Sequence, residues 1–271
     1  MSSRASAESP DTDRGVALAR ATVCLAATIA FYLLAVWTPS GQILDSGLMG
    51  LGFAPLPRPI EALELLRKGS LPVLAGLAIV AGASALRRRR WGLLLRSAVL
   101  TGISVGASTL ARRLLPRPDL GDPIYPFNTW PSGHVAASAA LIVSAFVLAP
   151  AGWQTPWTRR VAAVTLVVVA GASVATLAHR PSDVLSAMLW VATLTAMLFR
   201  SGPLGWRALR GDLLTAIVFV VVAVTFLFTP GFGDLGVIAN GAWLVAASLM
   251  TIGWRGEAPA TGTGSARPPE T

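Results

Sequence analysis

Eight stretches of 16 to 22 residues carry almost no charge and are separated by arginine-bearing connections, which constrains this chain more than any other feature. A helix rises about 1.5 Å per residue, so a hydrocarbon core of roughly 30 Å needs about 20 apolar residues. The stretches fall at 16–37, 71–86, 91–111, 132–149, 161–178, 184–199, 213–229 and 235–252. Inside a bilayer each must satisfy its own backbone groups, which makes them helices. The expected fold is an all-α polytopic transmembrane helix bundle occupying residues 16–254, with disordered tails at 1–15 and 255–271.

Composition agrees. With 54% hydrophobic residues, 13% charged residues and a mean hydropathy of +0.63, the chain lies well away from soluble domains. The formal charge of +9 does not imply nucleic acid, because the arginines punctuate apolar stretches and form no basic stripe interleaved with aromatics. The lipid bilayer is the expected partner. Lys68 is the only lysine among 22 basic residues, and alanine is abundant, which hints at a GC-rich bacterial genome. The lone Cys24 excludes a disulfide within the chain and argues against a cysteine metal site. Nothing in the pattern specifies an oligomeric state.

Between the first two stretches, residues 39–70 read as a mixed loop with glycine and proline, containing a short interfacial helix at 59–66. Counting basic residues on alternate sides of the spans gives fourteen on the side of both termini and seven on the other, with Arg96 inside the third span. By the positive-inside rule both termini are cytoplasmic. The four arginines at 87–90 are then a topology anchor.

The connections after spans three and five therefore emerge together on the extracytoplasmic side, and they hold both histidines of the chain. One is in Pro131-Ser132-Gly133-His134, where a loop rich in proline and arginine enters a helix. Free N–H groups and the positive end of the dipole favour a phosphate at such a point. Ser132 also suits a plain helix N-cap, and both roles use the same geometry. The other is His179, in His179-Arg180-Pro181-Ser182-Asp183. If that segment is helical, Asp183 shares a face with His179 and fixes its tautomer; Asp183 also suits a cap for the following helix. Arg112, Arg113 and Arg117 lie in the first connection and are not explained by topology. Asp119 and Asp122 read as a solvated turn, and no metal site is expected.

This ordered set, an arginine-proline loop, P-S-G-H and H-x-x-x-D, resembles the type 2 phosphatidic acid phosphatase superfamily over roughly residues 91–199. The resemblance implies a six-helix core, to which the last two apolar stretches would be additions. It implies a metal-independent, cofactor-free phosphatase of lipid phosphates in the cell membrane. His179, oriented by Asp183, would attack phosphorus; His134 would protonate the leaving alcohol; Ser132, Gly133, Arg117 and either Arg112 or Arg113 would hold the phosphate. Two departures stand out. The first motif's lysine position falls on Leu110, or on Arg112 in a register that puts Asp119 where a second arginine belongs. In the third motif Ala172 and Ser173 occupy the Ser-Arg positions, leaving Arg180 as a possible replacement cation. A phosphotransferase with the same site and a catalytically silent lipid binder are the alternative readings.

Overall fold

The computed structural model describes residues 10–51, 60–121 and 127–199. The apolar stretches at 213–229 and 235–252, both outer ends of the chain and Asp122 lie outside the described residues. Among the described residues the protein is all-helical, with seven α-helices: α1 (Pro10–Trp37), α2 (Pro39–Leu51), α3 (Ile60–Arg87), α4 (Trp91–Leu114), α5 (Gly133–Leu148), α6 (Pro156–Ala175) and α7 (Pro181–Leu198). Helices α1, α3, α4, α6 and α7 contain segments long and apolar enough to cross a membrane, while α5 is apolar but only 16 residues long. These helices mark a multi-pass membrane protein.

Helices α5 and α7 form the centre. The first is faced with small residues, Ala136, Ser138, Ala139, Ala140 and Ser144, all buried. Small side chains let neighbouring backbones approach closely, which is how helices gain contact where lipid removes the hydrophobic drive between them. On α7, Thr193 and Thr195 return their hydroxyls to the carbonyls of Leu189 and Val191, so polar atoms stay satisfied inside the bundle. Outward faces are the reverse: Leu18, Ile29, Leu33, Leu65, Ile79, Leu95 and Leu110 are exposed. A continuous apolar exterior of this kind is matched to lipid.

Three expectations are corrected. Residues 39–51 are not loop but α2, whose buried face is polar: Gln42, Asp45 and Ser46 line up with Met49 at helical spacing, and all four are buried. The short helix at 59–66 and the span at 71–86 are one helix, α3, which runs through Pro72. Proline there removes a single N–H bond, which a helix packed along α5 tolerates. Finally, α1 begins at Pro10 and takes in part of the expected tail; the run Pro-Asp-Thr-Asp at 10–13 is a helix-start pattern.

Candidate functional site

The P-S-G-H turn is the N-terminus of α5. Ser132 is fully buried and caps the helix, its Oγ accepting the Val135 N–H at 3.3 Å. Its own backbone N–H donates to the Asp183 carbonyl at 3.0 Å, which ties the starts of α5 and α7 together. Gly133 leaves open a face that the Arg112 guanidinium occupies, since a Cβ built there would lie 2.9 Å from Arg112 Nη2. Arg112 is also fixed from behind, its Nε donating to the Ser108 carbonyl at 3.3 Å. Arg113, one position on, is exposed, and the structure does not bring it into this cluster.

His179 sits in the short turn before α7, not within a helix, so the expected helical pairing with Asp183 is replaced by a turn. The end of α6 presents the Ser173 carbonyl to two N–H groups, from Ala178 at 3.1 Å and His179 at 3.2 Å, with Leu177 between α6 and His179 in the left-handed region at φ 55°. This brings the His179 Nδ1 to 3.6 Å from Asp183 Oδ2, longer than a hydrogen bond but within ion-pair range. Both residues are buried, and neither His179 Nδ1 nor Asp183 Oδ1 has a hydrogen-bond partner among the described residues. With Nδ1 turned to the carboxylate, Nε2 is the nitrogen left for chemistry.

Asp183 is also a cap. Its Oδ2 accepts the Arg180 N–H at 3.1 Å and the Thr129 hydroxyl at 2.5 Å. The Arg180 side chain is fully buried, with Nη1 donating to Thr129 Oγ1 at 3.1 Å and Nε to Ser46 Oγ at 3.5 Å. Its charge acts on the carboxylates of both Asp45 and Asp183. Ser173, at the position where the resembled motif carries arginine, is buried and returns its hydroxyl to the Val169 carbonyl at 2.9 Å.

From α2, Asp45 closes the N-terminus of α7. It accepts the Ser182 N–H at 2.9 Å and the Ser182 hydroxyl at 2.5 Å. Burial, with the Asp183 carboxylate close by, pushes Asp45 up to about 7 against the opposing pull of Ser182 and Arg180.

The arginine-proline connection is held on both sides of Arg117. The Tyr32 hydroxyl donates to the Pro116 carbonyl at 2.7 Å, and Gln42 Nε2 donates to the Pro118 carbonyl at 2.8 Å while its Oε1 accepts the Leu120 N–H at 3.2 Å. Asn128 Nδ2 donates to the Leu115 carbonyl at 2.9 Å, and Tyr32 packs on Trp130 with ring centroids 4.6 Å apart. Arg117 is therefore half-buried on a backbone with little freedom.

His134 meets α3. Its Nε2 lies 2.6 Å from the Arg67 carbonyl and 3.4 Å from Ser70 Oγ. A carbonyl only accepts, so in this arrangement Nε2 carries a proton. The Arg67 Nε is buried with no hydrogen-bond partner among the described residues.

Sequence reasoning passed over Asp45, Gln42, Thr129 and Arg67. A signal existed for the α2 pair, because Gln42, Asp45 and Ser46 repeat at helical spacing within an otherwise apolar segment. Among the described residues no group of three or more His, Cys, Asp or Glu side chains is placed to hold a metal ion. Comparison of the chain with protein-family models, curated proteins and solved structures found no match.

Proposed function

We propose that this is an integral membrane phosphatase that hydrolyses a phosphomonoester or pyrophosphate of a polyprenyl or glycerolipid at the extracytoplasmic face. The observation that carries the reading is the convergence of His179, paired at 3.6 Å with buried Asp183, on the helix start where Arg112 lies against Gly133. A buried carboxylate–imidazole pair makes a nucleophile, and N–H groups with a fixed guanidinium make an anion cradle. The P-S-G-H and H-x-x-x-D resemblance supplies the reaction class. Basic residues sit on this face although the other side holds twice as many, so topology does not account for them.

In this mechanism His179 Nε2 attacks phosphorus while Asp183, as a carboxylate facing Nδ1–H, orients the ring and offsets the positive charge that the imidazole gains. The phosphorus–oxygen ester bond breaks, and His134, as imidazolium, gives its proton to the departing alkoxide. Water then attacks the phosphohistidine, returns a proton to His134 and releases inorganic phosphate with His179 restored. Arg112, the Gly133 N–H, the Ser132 hydroxyl and Arg117 stabilise the equatorial oxygens, and Arg67 beside His134 supplies a further cation. Phosphatidic acid, polyprenyl phosphates and phosphatidylglycerophosphate all fit this chemistry. The test is phosphate release by purified protein in detergent with EDTA present, across that panel, beside His179→Ala. Release that the substitution abolishes supports the reading; no release from any of them overturns it.

A second reading draws on Ser173 and Arg180. With a buried serine at the third-motif arginine position and Arg180 held between Thr129 and Ser46, the site has fewer phosphate ligands than the resembled pattern. A lipid binder without turnover matches that deficit, and lipid binding unaffected by His179→Ala would distinguish it.

A further inference from the structure

A second feature starts about one turn along α3 from the Ser70–His134 contact and runs towards the other end of the bundle. An apolar groove of about 490 Å³ runs between α3, α5 and α6, lined among others by Val73, Leu77, Phe146, Trp153 and Val161. Along α3 it extends from Val73 to Ser84, about 16 Å at the helical rise, or half of a hydrocarbon core of roughly 30 Å. A groove of that length belongs to one leaflet.

The polar end of the groove is cationic. Arg88 Nε donates to the carbonyl of Ser84, a groove residue, and Arg88 Nη2 donates to the Leu148 carbonyl at 2.7 Å, next to Ala149 and Pro150 of the lining. The Arg159 guanidinium lies 5.8 Å from the ring centre of Phe146, another lining residue, and its Nε has no hydrogen-bond partner among the described residues. Trp153 and Trp157 are exposed beside it, as residues at headgroup depth are. Arg87, Arg89, Arg90 and Arg160 extend the positive rim without acidic neighbours in sequence.

We infer that this groove is a binding site for an anionic phospholipid of the arginine-rich side of the membrane, with one acyl chain between α3, α5 and α6 and the headgroup phosphate against Arg159 and Arg88. Charge selects the lipid: a cationic mouth on an apolar slot favours a net-negative headgroup over a zwitterionic one, by about fivefold per arginine near the surface. The site is separate from the histidines and does not depend on the proposed activity.

The test is native mass spectrometry of the full chain in detergent with phosphatidylglycerol or phosphatidylcholine of equal chain length. Phosphatidylglycerol is expected to bind preferentially; Arg88→Ala with Arg159→Ala should remove the preference, and Ala145→Trp should block both lipids by filling the groove. Thermal unfolding of each variant identifies any that merely fail to fold, and the less disruptive Ala145→Phe then replaces a failing Ala145→Trp. Equal binding of the two lipids to the wild type would overturn the inference. So would phosphatidylglycerol binding untouched by these changes, or a groove filled by the apolar stretches at 213–229 or 235–252, seen as cross-links to Ala145→Cys.

Discussion

Asp45 and Ser182 join two helices that are far apart in sequence: the carboxylate of α2 accepts both the backbone N–H and the hydroxyl of the second residue of α7. One residue further along α7 is Asp183, which faces His179. The position of the His179–Asp183 pair is thus set from α2 through the start of α7, and Asp45 acts as a positioning residue.

Removing that cap leaves a buried N–H without its acceptor. Asp45→Ala is expected to lower stability by about 1–3 kcal/mol, read as a fall in the thermal midpoint in detergent. On the proposed function, activity should fall as well, because the defect displaces the His179–Asp183 pair and the α5 start that is tied to it. An unchanged midpoint would contradict the role.

The same carboxylate gives a pH signature. Its folded value of about 7 lies above the ordinary 3.8, so its neutral form favours folding. That contribution is fully present below pH ~4 and declines as pH rises through 7, because the unfolded chain ionises first. Asp45→Asn is neutral throughout. The stability of wild type relative to this variant should therefore decline from pH 4 to 7 and level off above; a pH-independent difference would refute it.

Arg112 and Arg113 should separate cleanly. Arg112→Ala is expected to reduce phosphate release by on the order of 10²-fold, the usual loss for one charge-stabilising donor, and Arg112→Lys should recover little of it. Arg113→Ala should change it by less than about threefold, as an exposed residue outside the cradle. Gly133→Ala provides an independent check. Its new Cβ would stand 2.9 Å from Arg112 Nη2, so the guanidinium must move, and activity should drop while the folded state survives because the displaced atom ends a flexible side chain.

Restoring the motif arginine should fail. Ser173 is buried in α6 and its carbonyl holds the His179 backbone, so Ser173→Arg places an unpaired charge inside the bundle. The expected result is loss of folded protein in detergent, measured by size exclusion, without gain of activity.

Much of the fold was legible because hydropathy is a property of sequence alone. The runs at 16–37, 91–111, 132–149, 161–178 and 184–199 each fall on a helix, from α1 to α7. Helix α2 reads as loop from composition, since Gln, Asp, Ser, Gly and Pro outweigh the helical spacing of Gln42, Asp45 and Ser46. Its residues are buried because each polar group meets a partner supplied from elsewhere: Gln42 the Pro118 carbonyl, Asp45 the start of α7, Ser46 Arg180. The site was legible as residue types but not as contacts. Adjacent positions 112 and 113 are equivalent in sequence, and only the approach to Gly133 distinguishes them. Arg180 looked available beside His179, yet its direction is set by Thr129 and Ser46, which no local pattern announces.

A His179 nucleophile would carry the phosphoryl group covalently, and rapid trapping would reveal it. The protein is mixed with a lipid phosphate carrying a radioactive phosphoryl group, quenched rapidly in alkali and separated in detergent. The account predicts an alkali-stable, acid-labile label on wild type, absent from His179→Ala, reduced in Asp183→Asn, and retained longer in a chase with His134→Ala when the substrate has a good leaving group. Phosphate release without any such label, or a label that survives His179→Ala, would contradict it.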